Sequence, residues 1–307
     1  MAVAVTVGVV TASWNGGAHT DRCIASVREQ ALAACRIFLV DNASGAAERA
    51  RLHAAYGSDD AIELIDLPEN RGYAGGNNVG IERALHAGAD YVLVLTQDAT
   101  LAPGALARLL QAARQYPAAG ILGPRVVDRQ TGREQSRGER IVLPLLCLPR
   151  TLLRHRGHRR EPYPVSGLLG CALLLTRRCL DGVGAFDPEF FAYYEEVDLC
   201  LRARRAGFEL RCVPQALVTH DGLRGFGSGF TPLSAELKSR NLLQLVRKHG
   251  RWRDWLGFWP LYAALIASSM AWYAAQGRRE IVRALGRGVR QGWYGETGGP
   301  SSATPAV

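Results

Sequence analysis

Lysine is almost missing from this chain of 307 residues. Lys238 and Lys248 are the only two, so the positive side of a net charge of +9 is nearly all arginine. No Cys-x-x-Cys pair occurs, and the seven cysteines are odd in number and widely spaced. That excludes a zinc-ribbon type site and a disulfide framework, and the cysteines in apolar runs read as buried thiols. The N-terminus lacks a basic stretch followed by a long apolar run and a cleavage site. It enters a strand pattern at once, which predicts a cytoplasmic protein. There are no internal repeats and no plausible Ser/His/Asp or Cys/His constellation, which argues against an enzyme nucleophile.

What is present is a long alternation. Apolar, β-rich runs at Val3–Ser13, Arg36–Val40, Ile62–Leu67, Tyr91–Leu95 and Gly120–Val127 are separated by helical patterns at His19–Glu29, Glu48–Tyr56, Asn78–Ala87 and Leu106–Gln115. Strands alternating with helices predict an α/β fold with a mostly parallel central sheet covered on both faces. Ligands of such sheets bind beyond the carboxyl ends of the strands. Those ends here carry Trp14 and Asn15, Asp41 and Asn42, Asn70, and Gln97 and Asp98. A last strand, Glu209–His220, ends on a histidine, and Leu237–His249 reads as an amphipathic helix. The stretch 128–160 is rich in Arg, Pro and Gly, with a basic run from Arg150 to Arg160, and reads as a long connection facing an acceptor or a membrane. Residues 255–277 contain no charge and are bracketed by Arg251, Arg253, Arg278 and Arg279. Pro260, Ser268 and Ser269 weaken a spanning reading and favour a helix lying in the membrane interface, with a helix packed on the core as the alternative. The Gly/Ser/Pro-rich last ten residues predict disorder.

The densest chemistry is in Phe190–Cys200, where Glu195, Glu196 and Asp198 place three carboxylates within four positions behind an aromatic run. Clustered acids suit a general base, a metal or a cationic ligand, or simply the first turn of a helix. Asp41, at a strand tip, is either a nucleoside contact or a helix cap. Asn70–Gly80 is a Gly/Asn loop entering a helix. Its spacing is neither the dinucleotide fingerprint nor a P-loop, so it is read as a phosphate cradle or a plain turn. Asp98, just past a buried strand, suits a magnesium or manganese ion bridging a diphosphate. His220 is either a polar support or a metal ligand.

Taken in order, Trp14-Asn15, Val40–Ser44, Asn70–Tyr73, Thr96–Asp98, Gly184–Pro188, Glu195–Asp198 and Val218–His220 resemble the inverting family 2 glycosyltransferases of GT-A fold, bacterial rhamnosyltransferases in particular. The resemblance covers about Val5 to Gly250. It implies a glycosyltransferase domain over 1–250, with a nucleotide-sugar half (1–127) and an acceptor and catalytic half (128–250); the uncharged run with its arginine borders adds a helical, membrane-associated tail (251–307). It implies that Glu196 stands at the catalytic base, with Glu195 as competing candidate and Asp198 as supporting acid. It implies donor contacts from Trp14, Asn15, Asp41, Asn42, Asn70, Arg71, Gly72, Asn78, Gln97 and Asp98, and a divalent metal (Mn or Mg) held by Asp98 and His220. Thr96 stands where many members carry a first acid. The implied reaction moves a sugar from dTDP-rhamnose or a UDP-sugar to a lipid-linked or glycan acceptor at the inner face of the plasma membrane. The competing reading is a decayed sugar-nucleotide or glycan-binding subunit. Nucleic-acid binding rests on net charge alone and is set aside, because the basic residues lack the aromatic interleaving of a known module.

Overall fold

The computed structural model describes residues 6–30, 34–147, 159–221 and 231–300. Most of the basic run 150–160 and residues 301–307 lie outside the described residues. The first half is β1 (Val7–Ser13), α1 (Ala18–Arg28), β2 (Cys35–Asp41), α2 (Ala46–Tyr56), β3 (Ile62–Asp66), α3 (Gly72–His86), β4 (Tyr91–Leu95), β5 (Ala99–Leu101), α4 (Ala105–Gln115) and β6 (Ala119–Asp128). Then come β7 (Glu134–Ser136), β8 (Tyr163–Val165), β9 (Ala172–Thr176), α5 (Arg177–Val183), α6 (Glu195–Arg205), β10 (Glu209–His220), α7 (Pro232–His249), α8 (Trp252–Ala275) and α9 (Arg279–Tyr294).

The sheet runs β3-β2-β1-β4-β9-β6-β10-β5. Strands β3, β2, β1 and β4 are parallel, as are β6 and β10, and β9 lies antiparallel between β4 and β6. The β1, β2 and β4 runs are buried on both faces, which is why they read as continuous apolar stretches. Helix α3 lies very close to the sheet. A Cβ at Gly80 would collide with the Val10 side chain, so the glycine permits the approach.

Two registers set the site. Strand β5 starts directly after Asp98 and turns back to pair antiparallel with the end of β10, Ala99 opposite His220. Strand β9 begins where β4 ends, Ala172 opposite Leu95, which brings Gly170 and Cys171 beside Thr96. Helix α6 has three acids in its first turn and Arg202, Arg204 and Arg205 in its last, matching the helix dipole at both ends. Helices α8 and α9 pack on α7. Phe258 and Tyr262 are buried against Leu242, Leu243 and Val246, while Ile281, Ala284 and Leu285 meet Ala235.

Candidate active site

The first half of the site is the Asp98–His220 pair. The imidazole Nε2 lies 3.3 Å from Asp98 Oδ1, and both side chains are largely shielded. The Asp98 carboxyl is held below its usual range. Burial opposes this, but the hydrogen bond and charge of His220 and the Thr96 hydroxyl outweigh it. On its other side His220 Nδ1 lies 2.8 Å from Gln135 Oε1, while the Gln135 amide nitrogen faces Asp128 and the His220 carbonyl. That orientation makes Oε1 the acceptor of an Nδ1–H bond and turns Nε2 towards Asp98. A carboxylate oxygen and an imidazole nitrogen could supply two ligands; among the described residues no cluster of three metal-binding side chains occurs. This donor set fits a divalent ion that completes its shell with substrate diphosphate and water.

The second half is the first turn of α6. Gly170 presents its Cα to Glu196. An added Cβ there would meet Glu196 Cβ at 3.2 Å, Cγ at 3.3 Å and Cδ at 3.7 Å. The Gly170 carbonyl accepts the Tyr73 hydroxyl at 2.6 Å, and the Cys171 carbonyl accepts the Thr96 N–H at 3.0 Å. One two-residue segment therefore spaces Glu196 from the Asp98 strand end. Burial pushes the Tyr73 phenol well above its usual range, and Glu195, Cys171, Glu196 and Asp98 push the same way. The two acids of α6 and Asp98 thus converge electrostatically on one buried hydroxyl.

The backbone that delivers Glu195 is unusual. Phe191, Tyr193 and Tyr194 have φ of 61°, 71° and 73°, a region that side chains other than glycine adopt at a cost of roughly 1–2 kcal/mol each. The Asn241 side chain, fully buried on α7, holds them. Its Nδ2 lies 2.8 Å from the Phe190 carbonyl and 2.9 Å from those of Ala192 and Tyr193, and its Oδ1 accepts Arg240 Nε at 2.9 Å. Neither Asn241 nor Gln135 was found from the sequence. Each stands in an unremarkable polar context, far along the chain from what it supports.

Asp198 has its own set of partners. It is completely buried on the α7 side of α6, where His249 Nε2 (2.7 Å), Lys248 Nζ (2.8 Å) and Arg202 Nε (2.7 Å) surround it. Burial alone would raise its pKa, but the hydrogen bonds of His249 and Lys248 and the charge and hydrogen bond of Arg202 hold it at about 2. A depressed carboxyl contributes stability that is complete above its unfolded value of 3.8 and is lost as pH falls towards about 2. The shift corresponds to about 2 kcal/mol. Asp198→Asn should therefore lower the melting temperature at pH 7 and flatten the loss of stability between pH 4 and 2, as read by thermal denaturation across that range.

The donor-side residues cluster at the strand ends, mostly bonded to one another. Trp14 N–H donates to Gln97 Oε1 at 2.9 Å, tying β1 to β4. Asn15 Oδ1 accepts the Gly45 N–H, tying β1 to the turn after β2. Asp41 is fully buried, with Oδ1 accepting the Ser44 N–H and Oδ2 accepting Arg49 Nε at 3.0 Å. In this arrangement it shapes the turn and has no surface at the mouth. Asn42 Oδ1 accepts the Arg71 N–H, and its Nδ2 reaches Asn70 Oδ1 and the Gly72 carbonyl. Asn70 Oδ1 also accepts the Gly72 N–H, and the Phe191 carbonyl accepts the Ala74 N–H. From Gly72 the segment is helix, the N–H groups of Gly72 and Ala74 are bonded within the protein, and Gly76 and Gly80 face Ala12, Asn42, Val10 and Val40 at close range. The Asn78 amide clamps the N–H and carbonyl of Phe186 at 3.0 and 2.7 Å. Trp14 is half-buried, while Asn15 and Arg71 are exposed at this end.

A family model described as "Glycosyl transferase family 2" matches residues 8–184. The N-acetylglucosaminyl-diphospho-decaprenol L-rhamnosyltransferase of Mycobacterium tuberculosis is 31% identical over 300 residues, covering 90% of this chain and 96% of that one. A dTDP-rhamnosyl transferase of Shigella flexneri is 24% identical over 61% of this chain and 60% of its own length. Among solved structures, a mannosyltransferase from Pyrobaculum calidifontis in complex with GDP-Man and Mn2+ superposes with a TM-score of 0.59 at 15% identity, over 96% of this chain and 89% of that one.

Proposed function

The chain belongs to glycosyl transferase family 2 and is a glycosyltransferase of GT-A fold, and from that premise we propose that it is an inverting rhamnosyltransferase. The donor is dTDP-rhamnose, with a UDP-sugar as the other candidate, and the acceptor is a hydroxyl of a lipid-linked glycan at the inner face of the membrane. The names of the two rhamnosyltransferase relatives support this reading. The observation that carries it is the convergence of Glu196 and the Asp98–His220 pair across the Gly170–Cys171 segment.

Glu196 accepts the proton of the acceptor hydroxyl as that oxygen attacks the anomeric carbon. The bond from the anomeric carbon to the diphosphate oxygen breaks in the same step, and its electron pair leaves with the diphosphate. One displacement inverts the configuration. Asp98 and His220 would hold a divalent cation that offsets charge on the leaving group. Gln135 keeps His220 Nε2 turned to that position, and Trp14, Asn15 and Arg71 flank the donor mouth. Tyr73 and Gly170 fix the distance between donor and base.

The test is nucleoside diphosphate release from a panel of dTDP-, UDP- and GDP-sugars with a lipid extract as acceptor, with manganese, magnesium or EDTA. Release with one donor, abolished by EDTA and in Asp98→Ala, is the expected result. Equal release in EDTA would remove the metal from the account, and nucleotide binding without release at any acceptor would favour the decayed binding subunit.

A further inference from the structure

From Trp255 to its end, helix α8 carries no charged residue. Trp252, Leu256 and Trp272 are 69%, 70% and 65% exposed, and Trp259 is 36% exposed. Past Arg253 the other exposed positions between them are Pro260, alanines and Ser268, and residues 255–277 contain no charge. The opposite face is fixed to the body. Phe258 and Tyr262 are buried, and the Tyr262 hydroxyl donates to the Ser239 carbonyl at 2.8 Å. The stripe continues onto α9. Trp293 packs at a tilt of 53° against Trp259 with ring centroids 5.5 Å apart and is itself 60% exposed, and Tyr294 is 74% exposed. Large apolar rings left in water on the same pair of helices mark an interaction surface.

Charge says which partner. Arg251, Arg253, Arg278 and Arg279 stand at the two ends of the stripe, with Arg283 and Arg290 exposed on α9. The nearby acids are engaged locally, Asp254 by the Arg251 N–H and Glu280 by Arg278 at 3.3 Å. A second copy docking face to face would set this arginine belt against itself, because a two-fold interface apposes a patch to its own image. Tryptophans within an uncharged stripe ringed by arginine instead match the headgroup region of an anionic bilayer. Among the described residues no helix is long and apolar enough to cross a membrane.

We propose that the α8–α9 outer face is a docking surface for an anionic lipid bilayer, with α8 lying in the plane of the headgroups. It deepens the reading of a lipid-linked acceptor and rests on that reading for its purpose, though vesicle binding itself requires no turnover. Helix α7, which α8 and α9 cover, carries Asn241, so the bilayer-facing pair backs the helix that supports the base.

The test is co-sedimentation of the full chain with vesicles of phosphatidylcholine containing phosphatidylglycerol, and with phosphatidylcholine alone. The expected result is binding to the anionic vesicles, at least ten-fold weaker in 0.5 M salt or without the anionic lipid. It should also be at least ten-fold weaker in Trp252→Ser/Leu256→Ser/Trp272→Ser, whose substituted side chains are exposed and whose melting temperature should stay near that of the parent. As a second variant, Arg278→Ser/Arg279→Ser should lose the preference for anionic lipid. Equal sedimentation of the parent and triple variant would overturn the proposal, as would binding indifferent to charge. Absence of vesicle binding together with a dimer that the triple variant abolishes would assign the face to a second copy. Vesicle binding by a chain that transfers sugar to no acceptor would sink the catalytic reading and leave this one standing.

Discussion

Glu196→Gln is expected to lower kcat by about 10²–10⁴-fold with nucleoside diphosphate binding unchanged. Glutamine keeps the size of the side chain and its contact with Gly170 but cannot take a proton. The loss therefore falls on the chemical step and leaves the donor mouth, built on β1, β2 and β4, as it was. Glu195→Gln is the control that separates neighbours. Glu195 precedes Glu196 on the same helical turn, about 100° away around the axis, while the nearest side-chain atoms to Gly170 belong to Glu196. It should cost about ten-fold or less. Steady-state kinetics of both variants with a saturating acceptor, beside a nucleotide titration, decide the matter. A larger loss in Glu195→Gln would move the base by one residue.

Asn241→Ala is expected to lower kcat by about 10²-fold, the size of effect that a misplacement of about 1 Å can produce. The amide of Asn241 lies within hydrogen-bonding distance of three carbonyls of the 190–194 loop at 2.8–2.9 Å, and alanine leaves them unmatched in a buried setting. Three residues of that loop sit at positive φ and persist only while the surroundings over-determine them. Without the amide the loop can relax, and relaxation swings the start of α6. Asn241→Asp should be no better, because a carboxylate faces carbonyl oxygens where two N–H groups stood. A merely structural loss would lower the melting temperature and the active fraction while leaving pH profile and nucleotide affinity alone. A positioning loss changes kcat in the folded fraction and shifts the pH profile of kcat, because the surroundings of Glu196 change. Active-site titration with pH-dependent kinetics separates the two. A kcat per active site equal to that of the parent would contradict the account.

The alternation of apolar runs and helices made the fold legible, because strands buried on both faces cannot hide their composition. The same alternation placed Trp14, Asp41 and Asp98 at or just past the carboxyl ends of β1, β2 and β4. Partnership was not legible. Asp98 and His220 are 122 positions apart in sequence, and only the turn of β5 back onto β10 joins them. Asp198 shares a helical turn with Glu195 and Glu196, yet His249, Lys248 and Arg202 take up its carboxylate. A helical period sets it about 160° from Glu196 and only about 60° from Glu195, so spacing alone does not say which of the three acids work together. The glycines of 72–80 were ambiguous in sequence, because the close helix–strand packing seen at Gly76 and Gly80 asks for the same residue as a phosphate loop. Asn241 offered no signal at all, since an asparagine in an amphipathic helix is ordinary until three carbonyls are seen around it.

The most direct measurement is the anomeric configuration of the transferred sugar in the isolated product, read by NMR against that of the donor. A single displacement with Glu196 as base and no enzyme nucleophile predicts complete inversion. Retention of the donor configuration would contradict that account.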